Sequence, residues 1–297
     1  MEILEKVLGA EHPKTAASYN NIGGVYDNLG NYNKALEYYF KSLKIREKVL
    51  GAEHPDSANS YISIGSIYDN IGDYDKALEY HFKALEIYEK VLGAEHPDTA
   101  ASYNNIGFVY DKLGDYDKAL EYHFKALDIR ERVLGIEHPN SANSYINIGC
   151  VYNNLGDYNK ALEYHFKAAK IFEKVLGAEH PNTAASYNNI GLVYDNLGNY
   201  DRALEYYFKA LEIREKVLGA EHPDTATSYN NIGVVYDNLG DYDKALGYYF
   251  KDLEICEKVL GTEHPYTVMS YNHIADTYEA MGEAEKAAEY RAKAENN

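Results

Sequence analysis

The sequence predicts an all-α protein, an α-solenoid of antiparallel helix pairs in seven repeats of 42 residues. Three observations support this fold class. The triplet Glu-His-Pro recurs seven times at a constant step of 42 residues, and a fixed internal period is typical of repeat architectures. Apolar residues inside one period follow the three- and four-residue spacing of α-helices. Proline and glycine stand where such helices begin and end.

The first helix of each repeat is predicted to begin at the proline of this triplet. Pro13 suits the first helical position, where its missing N–H leaves no hydrogen bond unmade. The apolar stripe that follows consists of Ala16, Tyr19, Ile22, Tyr26 and Leu29. Gly30 is expected to end the helix in a left-handed conformation. Gly23 stands mid-helix at a cost of roughly 1 kcal/mol against alanine, which indicates the close approach of a bulky tyrosine on a facing helix.

The second helix is predicted to start directly afterwards. Asn31, which is aspartate in several other copies, is a favoured N-terminal cap. The apolar positions of this helix are Ala35, Leu36, Tyr39, Phe40, Leu43, Val49 and Leu50. These positions cover more of the helix surface than a single stripe, which predicts burial on two sides. Gly51 is expected to end the helix. Neither helix hides its apolar face alone, so successive pairs must stack into a solenoid.

The repeat boundaries predict the domain organisation. The repeats start near residues 13, 55, 97, 139, 181, 223 and 265. We expect residues 13–297 to form a single solenoid domain and residues 1–12 to be a partial helix of a preceding repeat. The last helix, in "EAEKAAEYRAKAENN", lacks earlier apolar positions and is predicted to be a polar cap. The N-terminal edge has no such cap, so homo-oligomer formation through it is predicted.

Eight positions of each repeat carry a family resemblance. In the first copy they are Tyr19, Ile22, Gly23, Tyr26, Gly30, Tyr32, Ala35 and Tyr39. Their order and spacing resemble the tetratricopeptide repeat (TPR), and the 42-residue length resembles the repeats of kinesin light chains. The resemblance implies a right-handed superhelix whose concave face, lined by the first helices, binds peptides or protein segments.

The seven histidines of the Glu-His-Pro triplets raise the question of metal binding. Metal ligands must lie within a few ångströms of one ion, whereas packed helices stand roughly 8–10 Å apart. A row of single histidines at that spacing cannot share an ion, so we predict no metal site. The glutamate and histidine side chains are instead expected to bond free backbone groups at the helix start or to reach the neighbouring repeat.

Neither catalytic residues nor a cofactor is predicted. His81, His123 and His165 replace a core tyrosine of other copies and are expected to be packed, hydrogen-bonded groups; a ligand-binding or pH-sensing role is the alternative. Cys150 and Cys256 have no assigned histidine partner, and the sequence contains no phosphate-binding loop or metal-ligand cluster. The protein is therefore predicted not to be an enzyme.

Rows of first-helix residues form the candidate binding site, because the family resemblance places the groove there. The asparagines are Asn20, Asn21, Asn104, Asn105, Asn147, Asn188, Asn189, Asn230 and Asn231; the apolar members are Phe108, Leu192 and Val234; the aspartates are Asp69, Asp111, Asp195 and Asp237. Asparagine amides carry donors and acceptors that suit an extended peptide backbone. The other members suit apolar anchors and basic side chains. In the alternative, the asparagines bond one another and face only water.

The charge of the chain restricts its partners. The formal net charge is −18, from 47 acidic and 29 basic residues. Such a chain repels phosphate, so neither nucleic acid nor a membrane surface is a predicted partner, and a basic protein or peptide is. No run approaches the length of a membrane helix, and the first residues lack a signal-peptide pattern. A cytoplasmic location is therefore predicted.

The predicted function is a non-enzymatic scaffold for protein–protein interaction, which binds an extended peptide or protein segment in the groove. Two alternatives remain open: a self-associating spacer array, or the sensing arm of a larger signalling protein. Repeats two and four read "SANSYI" where repeats one, three and five read "TAASYN". The first-helix surface is thus expected to alternate from one repeat to the next.

Overall fold

The computed structural model describes residues 9–295. Most of the predicted partial helix at residues 1–12 lies outside this range, and so does the apolar edge predicted to mediate self-association. Across the described range the chain forms fourteen α-helices and no β-strand. They are α1 (Pro13–Asn28), α2 (Tyr32–Leu50), α3 (Pro55–Asn70), α4 (Tyr74–Val91), α5 (Pro97–Lys112), α6 (Tyr116–Leu134), α7 (Pro139–Asn154), α8 (Tyr158–Val175), α9 (Pro181–Asn196), α10 (Tyr200–Val217), α11 (Pro223–Asn238), α12 (Tyr242–Val259), α13 (Pro265–Ala280) and α14 (Ala284–Glu295).

The helix boundaries confirm the start and stop positions that proline and glycine predicted. Gly30 and Gly51 have φ angles of 68° and 100°, in the left-handed region where a side chain is disfavoured. Between them, Asn31 caps α2, since its Oδ1 accepts the backbone N–H of Lys34 at 3.3 Å. Each helix pair is joined by only a few residues, so its two helices run antiparallel.

The chain divides into two compact units, one ending at Val151 and the other beginning at Tyr152, so the boundary lies within α7. In the first unit α1 packs on α2, α3 on α4 and α5 on α6, and the pairs join through α2 with α3 and α4 with α5. In the second unit α9 packs on α10, α11 on α12 and α13 on α14, with α8, α10 and α12 each contacting the next first helix. The expectation of a single solenoid domain stays a prediction.

The core consists largely of the residues that the two apolar patterns predicted. Ala16 and Ala35 are fully buried between α1 and α2, and Ile64 is fully buried in the second repeat. The pattern was wrong at two helix ends and at Phe40, which is 37% exposed within α2. Leu29 is 72% exposed because it follows the last residue of α1 as its C-terminal cap, and Val49 is 44% exposed in the last turn of α2.

Tyrosine rings fill the space between the two helices of each pair. The rings of Tyr26 and Tyr38 stack with centroids 5.5 Å apart and planes 8° apart, and Lys34 Nζ lies 5.0 Å from the Tyr26 centroid. Stacked pairs recur at Tyr68 and Tyr80, Tyr110 and Tyr122, Tyr194 and Tyr206, and Tyr236 and Tyr248. Because the arrangement is the same in each of these repeats, it belongs to the packing of the pair.

The last described helix, α14, is polar, and its role as a cap stays a prediction. Ala287 is the buried residue of α14, and the side chains around it are mostly exposed. Over residues 9–295, no helix combines the length and the apolar character that crossing a membrane requires.

Candidate functional site

The histidine of each Glu-His-Pro triplet is a helix cap. His54 Nδ1 accepts the backbone N–H of Asp56 at 3.0 Å, and Pro55 is the first residue of α3. The same bond is made by His12, His96, His138, His180, His222 and His264. The prediction that this histidine bonds a free backbone group at the helix start is confirmed.

The glutamate of the triplet reaches into the next repeat. Glu53 Oε1 accepts from Lys90 Nζ at 2.5 Å, and Glu95 Oε1 accepts from Arg132 Nη1 at 2.5 Å. Each pair ties the link between two repeats to the end of the following second helix. In residues 9–295 no three His, Cys, Asp or Glu side chains are grouped so that they could hold a metal ion.

The three histidines in second helices are buried against glycines. His81 is 2% exposed, and a Cβ built at Gly65 would lie 2.8 Å from its ring. Burial lowers the pKa of His81, His123 and His165 to about 4, so the rings are neutral near pH 7. The expected packing is confirmed. The expected hydrogen bond is found at His123, whose Nδ1 lies 2.9 Å from Asn104 Oδ1, but the expectation was wrong for His81 and His165, whose Nδ1 atoms have no hydrogen-bond partner in residues 9–295.

Neither cysteine has the electrostatic surroundings of a nucleophile. Burial raises the pKa of Cys150 to about 11, and burial beside Asp252 raises the pKa of Cys256 to about 12. Both are free thiols rather than half of a disulfide. Since the thiolate is the reactive form, both side chains are chemically quiet near pH 7.

The first row of predicted groove asparagines faces largely inward. Asn104 and Asn230 are only 9% and 8% exposed. Asn104 Oδ1 accepts from Asn147 Nδ2 at 2.8 Å, and Asn230 Oδ1 lies 2.8 Å from His273 Nδ1. Asn20 and Asn188 are half-buried. The amides of Asn104, Asn188 and Asn230 therefore connect the first helices of neighbouring repeats, whereas the buried Oδ1 of Asn20 has no hydrogen-bond partner in residues 9–295.

In the second asparagine row, some side-chain amides bond within the protein, and others, called unused amides below, make no hydrogen bond. Asn231 Nδ2 donates to Asn188 Oδ1 at 2.9 Å, repeating the Asn147 contact with the same separation of 43 residues. Within residues 9–295, three amides of this row make no hydrogen bond: those of Asn21, Asn105 and Asn189. At Asn105 the reason is visible in the sequence, because the residue 43 positions earlier is Ile62, which offers no acceptor.

The variable row contains the exposed apolar side chains. Phe108 is 40% exposed and Leu192 is 41% exposed, while Val234 is half-buried. The Phe108 ring meets the His123 ring edge-on, with centroids 5.2 Å apart, so one side of the phenyl ring is held in place.

The aspartate row is partly neutralised within the protein. Asp69 Oδ2 accepts from Lys112 Nζ at 2.8 Å, and Asp237 Oδ1 accepts from Thr277 Oγ1 at 2.9 Å. Burial raises the pKa of Asp195, and a hydrogen bond from Asn238 opposes that rise. The predicted members Asp69, Asp111, Asp195 and Asp237 are all half-buried.

The three rows meet on single helices. On α5 the line is Asn105, Phe108 and Asp111; on α9 it is Asn189, Leu192 and Asp195. Residues three apart are neighbours on a helix surface, so each line places an unused amide, an exposed apolar side chain and a carboxylate in sequence. Each compact unit contains one such line.

A cleft beside the second helices recurs with the same lining. In the second repeat it is lined by Glu53, Tyr61, Lys83, Glu86 and Lys90, among others. Equivalent residues line clefts at Tyr187 and at Tyr229. Because the charges of the lining pair with one another, as Glu53 does with Lys90, the cleft is part of the packing between repeats.

Among residues 9–295, sequence reasoning missed the two buried charged residues, Arg214 and Asp252. At Asp252 the signal was present, since the six equivalent positions hold Ser42, Ala84, Ala126, Ala168, Ala210 and Ala294. Asp252 is 3% exposed and lies beside a cavity that also borders Asn230 and Asn231 of the asparagine rows.

The family model of the tetratricopeptide repeat matches the whole length of the chain. The matched segments are residues 1–48, 25–90, 70–123, 103–165, 151–216, 196–251 and 239–296. The chain therefore belongs to the tetratricopeptide repeat family. No curated protein matches this sequence.

Solved structures with similar folds include kinesin light chain-like repeats. BtubC (BKLC) from P. vanneervenii is 23% identical, with a TM-score of 0.62, covering 80% of this chain and 92% of its own. A putative kinesin light chain from Podosopora anserina with nearly identical TPR-like repeats is 26% identical, with a TM-score of 0.58, covering 68% and 96%. Aspartyl phosphate phosphatase F from Bacillus subtilis is 18% identical, with a TM-score of 0.71, covering 99% and 73%. The first and third likenesses concern the fold alone.

Proposed function

We propose that each compact unit is a non-enzymatic interaction module that holds an extended, net-basic protein segment against its first helices. Membership of the tetratricopeptide repeat family suggests a scaffold for protein–protein interaction. The observation that carries the finer proposal is the pair of lines on α5 and α9. Each combines an unused amide with an exposed apolar side chain.

The side-chain amides of Asn105 and Asn189 are the groups in these two lines that most need a hydrogen-bond partner. Asn105 and Asn189 are half-buried, so water reaches them only in part. A side-chain amide offers two N–H donors and a carbonyl acceptor, the complement of a peptide group. An extended segment passing along the helix face satisfies both without requiring a particular sequence.

The apolar side chains beside the two amides fix the position of the bound segment along the helix. Phe108 and Leu192 lie one helical turn from the amides and are each about two-fifths exposed. Single exposed apolar residues are common on protein surfaces; the argument is their position beside an unused amide in both units. The formal charge of −18 favours a basic segment and disfavours an acidic one.

The test is binding of fluorescent ten-residue peptides of matched apolar content and opposite net charge, measured by fluorescence anisotropy. We expect basic peptides to bind and acidic ones not to bind. The double variant Asn105→Ala/Asn189→Ala should weaken binding at least tenfold while leaving helicity unchanged, because neither amide makes an internal hydrogen bond. Equal binding of both peptide classes, or unchanged binding by this variant, contradicts the proposal.

A matched control is available on the second helices. Asn33 and Asn159 are exposed asparagines at the starts of α2 and α8, one in each unit. The double variant Asn33→Ala/Asn159→Ala makes the same chemical change away from the first helices. Its peptide affinity is expected to match that of the wild type.

A further inference from the structure

One position of the second helix distinguishes the sixth repeat from the five repeats before it. The preceding copies hold a long side chain there: Arg46, Tyr88, Arg130, Phe172 and Arg214. The sixth copy holds Cys256. A large side chain has thus been replaced by a small one at a buried site, since Cys256 is 3% exposed.

The arginines at this position show what the site between two repeats binds. Arg214 Nη1 donates to the backbone oxygen of Asp224 at 2.9 Å and to Ser228 Oγ at 2.7 Å. Arg46 makes the same two bonds, to the backbone oxygen of Asp56 and to Ser60 Oγ. The guanidinium therefore bridges from a second helix to the first turns of the next first helix.

At the junction of repeats six and seven these acceptors remain and the guanidinium is missing. Ser270 and the backbone oxygen of Tyr266 stand at the equivalent positions of α13. A cavity of about 400 Å³ lies between α11, α12 and α13. Its lining includes Asp224 on α11, Cys256 on α12 and Tyr266 on α13, and it contains no lysine or arginine.

A carboxylate has been added where the guanidinium was lost. Asp252 lies one helical turn before Cys256 and lines the same cavity. Its Oδ2 accepts from Ser270 Oγ at 2.5 Å, and its Oδ1 accepts from Cys256 Sγ at 3.5 Å. Burial raises its pKa to about 6. A buried carboxylate without a cation is costly, which favours a cation supplied from outside the chain.

We propose that this cavity binds an arginine side chain of the segment held by the second unit. The proposal rests on the proposed function, because Asn230 and Asn231 of the asparagine rows border the cavity and connect it to the first-helix surface. The incoming guanidinium takes the place that Arg214 fills one repeat earlier. It bonds the Asp252 carboxylate, which lines the cavity, in a charge-assisted bond that the other junctions lack, and it lies within reach of the Tyr266 backbone oxygen.

The first test uses a small probe, N-acetyl-arginine N-methylamide, and amide chemical shifts of the labelled full chain. We expect shifts concentrated in the residues that line the cavity. The citrulline counterpart, which has nearly the same shape and no charge, and the lysine counterpart should bind at least tenfold more weakly. Absence of shifts in the lining, or equal binding of the citrulline or lysine counterpart, overturns the proposal.

The chain itself supplies the matched variant. Asp252→Ala/Cys256→Arg recreates the Ala210 and Arg214 combination of the preceding repeat, so the protein fills its own cavity. This variant is expected to fold, which circular dichroism verifies, and to lose the arginine-dependent shifts. A second variant, Asp252→Asn, keeps the shape and should weaken the probe at least tenfold. Probe binding retained by both variants overturns the proposal.

A peptide arm separates this inference from the proposed function. The tightest basic peptide is compared with its arginine-to-citrulline version, on the wild type and on Asp252→Ala/Cys256→Arg. Unchanged affinity across all four combinations rules out arginine capture by this cavity, while the Asn105→Ala/Asn189→Ala result still decides the proposed function. Conversely, the small probe reports on the cavity even where that double variant binds peptide normally.

Discussion

At the scale of single residues, the tightest packing lies between a helical glycine and the ring opposite it. A Cβ built at Gly23 falls 2.8 Å from the Tyr39 ring, closer than real contacts allow. A Cβ built at Gly24 meets only the Tyr39 hydroxyl, at an ordinary 3.6 Å. The sequence predicted this close approach, because a glycine that lowers helix stability in six of the seven copies needs a steric reason.

Gly23→Ala is therefore expected to destabilise the protein by about 1–3 kcal/mol, since the buried Tyr39 ring has to move. Gly24→Ala is the matched control, in the same helix and one residue away. It is expected to be neutral or to stabilise by up to about 1 kcal/mol, because alanine favours helix and no clash follows. Urea unfolding of both variants gives the comparison, and equal effects contradict the packing argument.

Pairings of side chains across repeats were beyond sequence reasoning. The sequence showed that asparagines recur at the same first-helix positions. It did not show their hydrogen bonds, because the bond from Asn147 to Asn104 and the unused amide of Asn105 depend on which residue lies 43 positions away. That register is a property of helix packing, which a periodic pattern along the chain does not specify. The "SANSYI" alternation contained the information, because it replaces an acceptor by Ile62.

At the scale of the helices, most boundaries were predictable because proline and glycine act locally. Pro55 is the first residue of α3, and Gly51 caps the C-terminus of α2 with a positive φ. The sequence predicted that His54 bonds a free backbone group at the helix start. The structure was needed to show that Nδ1 is the acceptor. The ion pair of Glu53 with Lys90 is exposed on both sides, so its contribution to stability is small.

His54→Ala is expected to lower the free energy of unfolding by about 1 kcal/mol, because the Asp56 N–H loses its acceptor at the start of α3. His54→Asn, which keeps a capping side-chain acceptor, should recover most of the loss. Glu53→Ala is expected to change stability by less than about 0.5 kcal/mol. Thermal unfolding ranks the three variants, and a glutamate effect larger than the histidine effect contradicts this assignment.

At the scale of the whole molecule, buried histidines in three repeats connect stability to pH. Their pKa is lowered to about 4 by burial, against an ordinary value of 6.5. Because the folded-state pKa is depressed, the unfolded chain binds protons first as the pH falls. The stabilisation is complete above about pH 6.5 and is lost between that value and about pH 4.

His81→Tyr is expected to reduce this acid sensitivity, by about 2 kcal/mol between pH 7.5 and pH 5. Tyrosine fits the site, since Tyr39 occupies the equivalent place against Gly23. The reciprocal change Tyr39→His should add a similar sensitivity. Urea midpoints of wild type and both variants at the two pH values provide the measurement, and parallel shifts in all three proteins contradict the argument.

The recurring separation of 43 residues between bonded first-helix side chains has a consequence for folding. In each unit the chain closes only short loops to form such contacts, so a folding nucleus is able to arise at several equivalent places. The same equivalence permits a repeat to dock against a copy one period away from its proper neighbour. The few residues that differ between copies, such as Ile62 and Asn104, then favour the correct neighbour over a copy one period away and so keep the repeats in order.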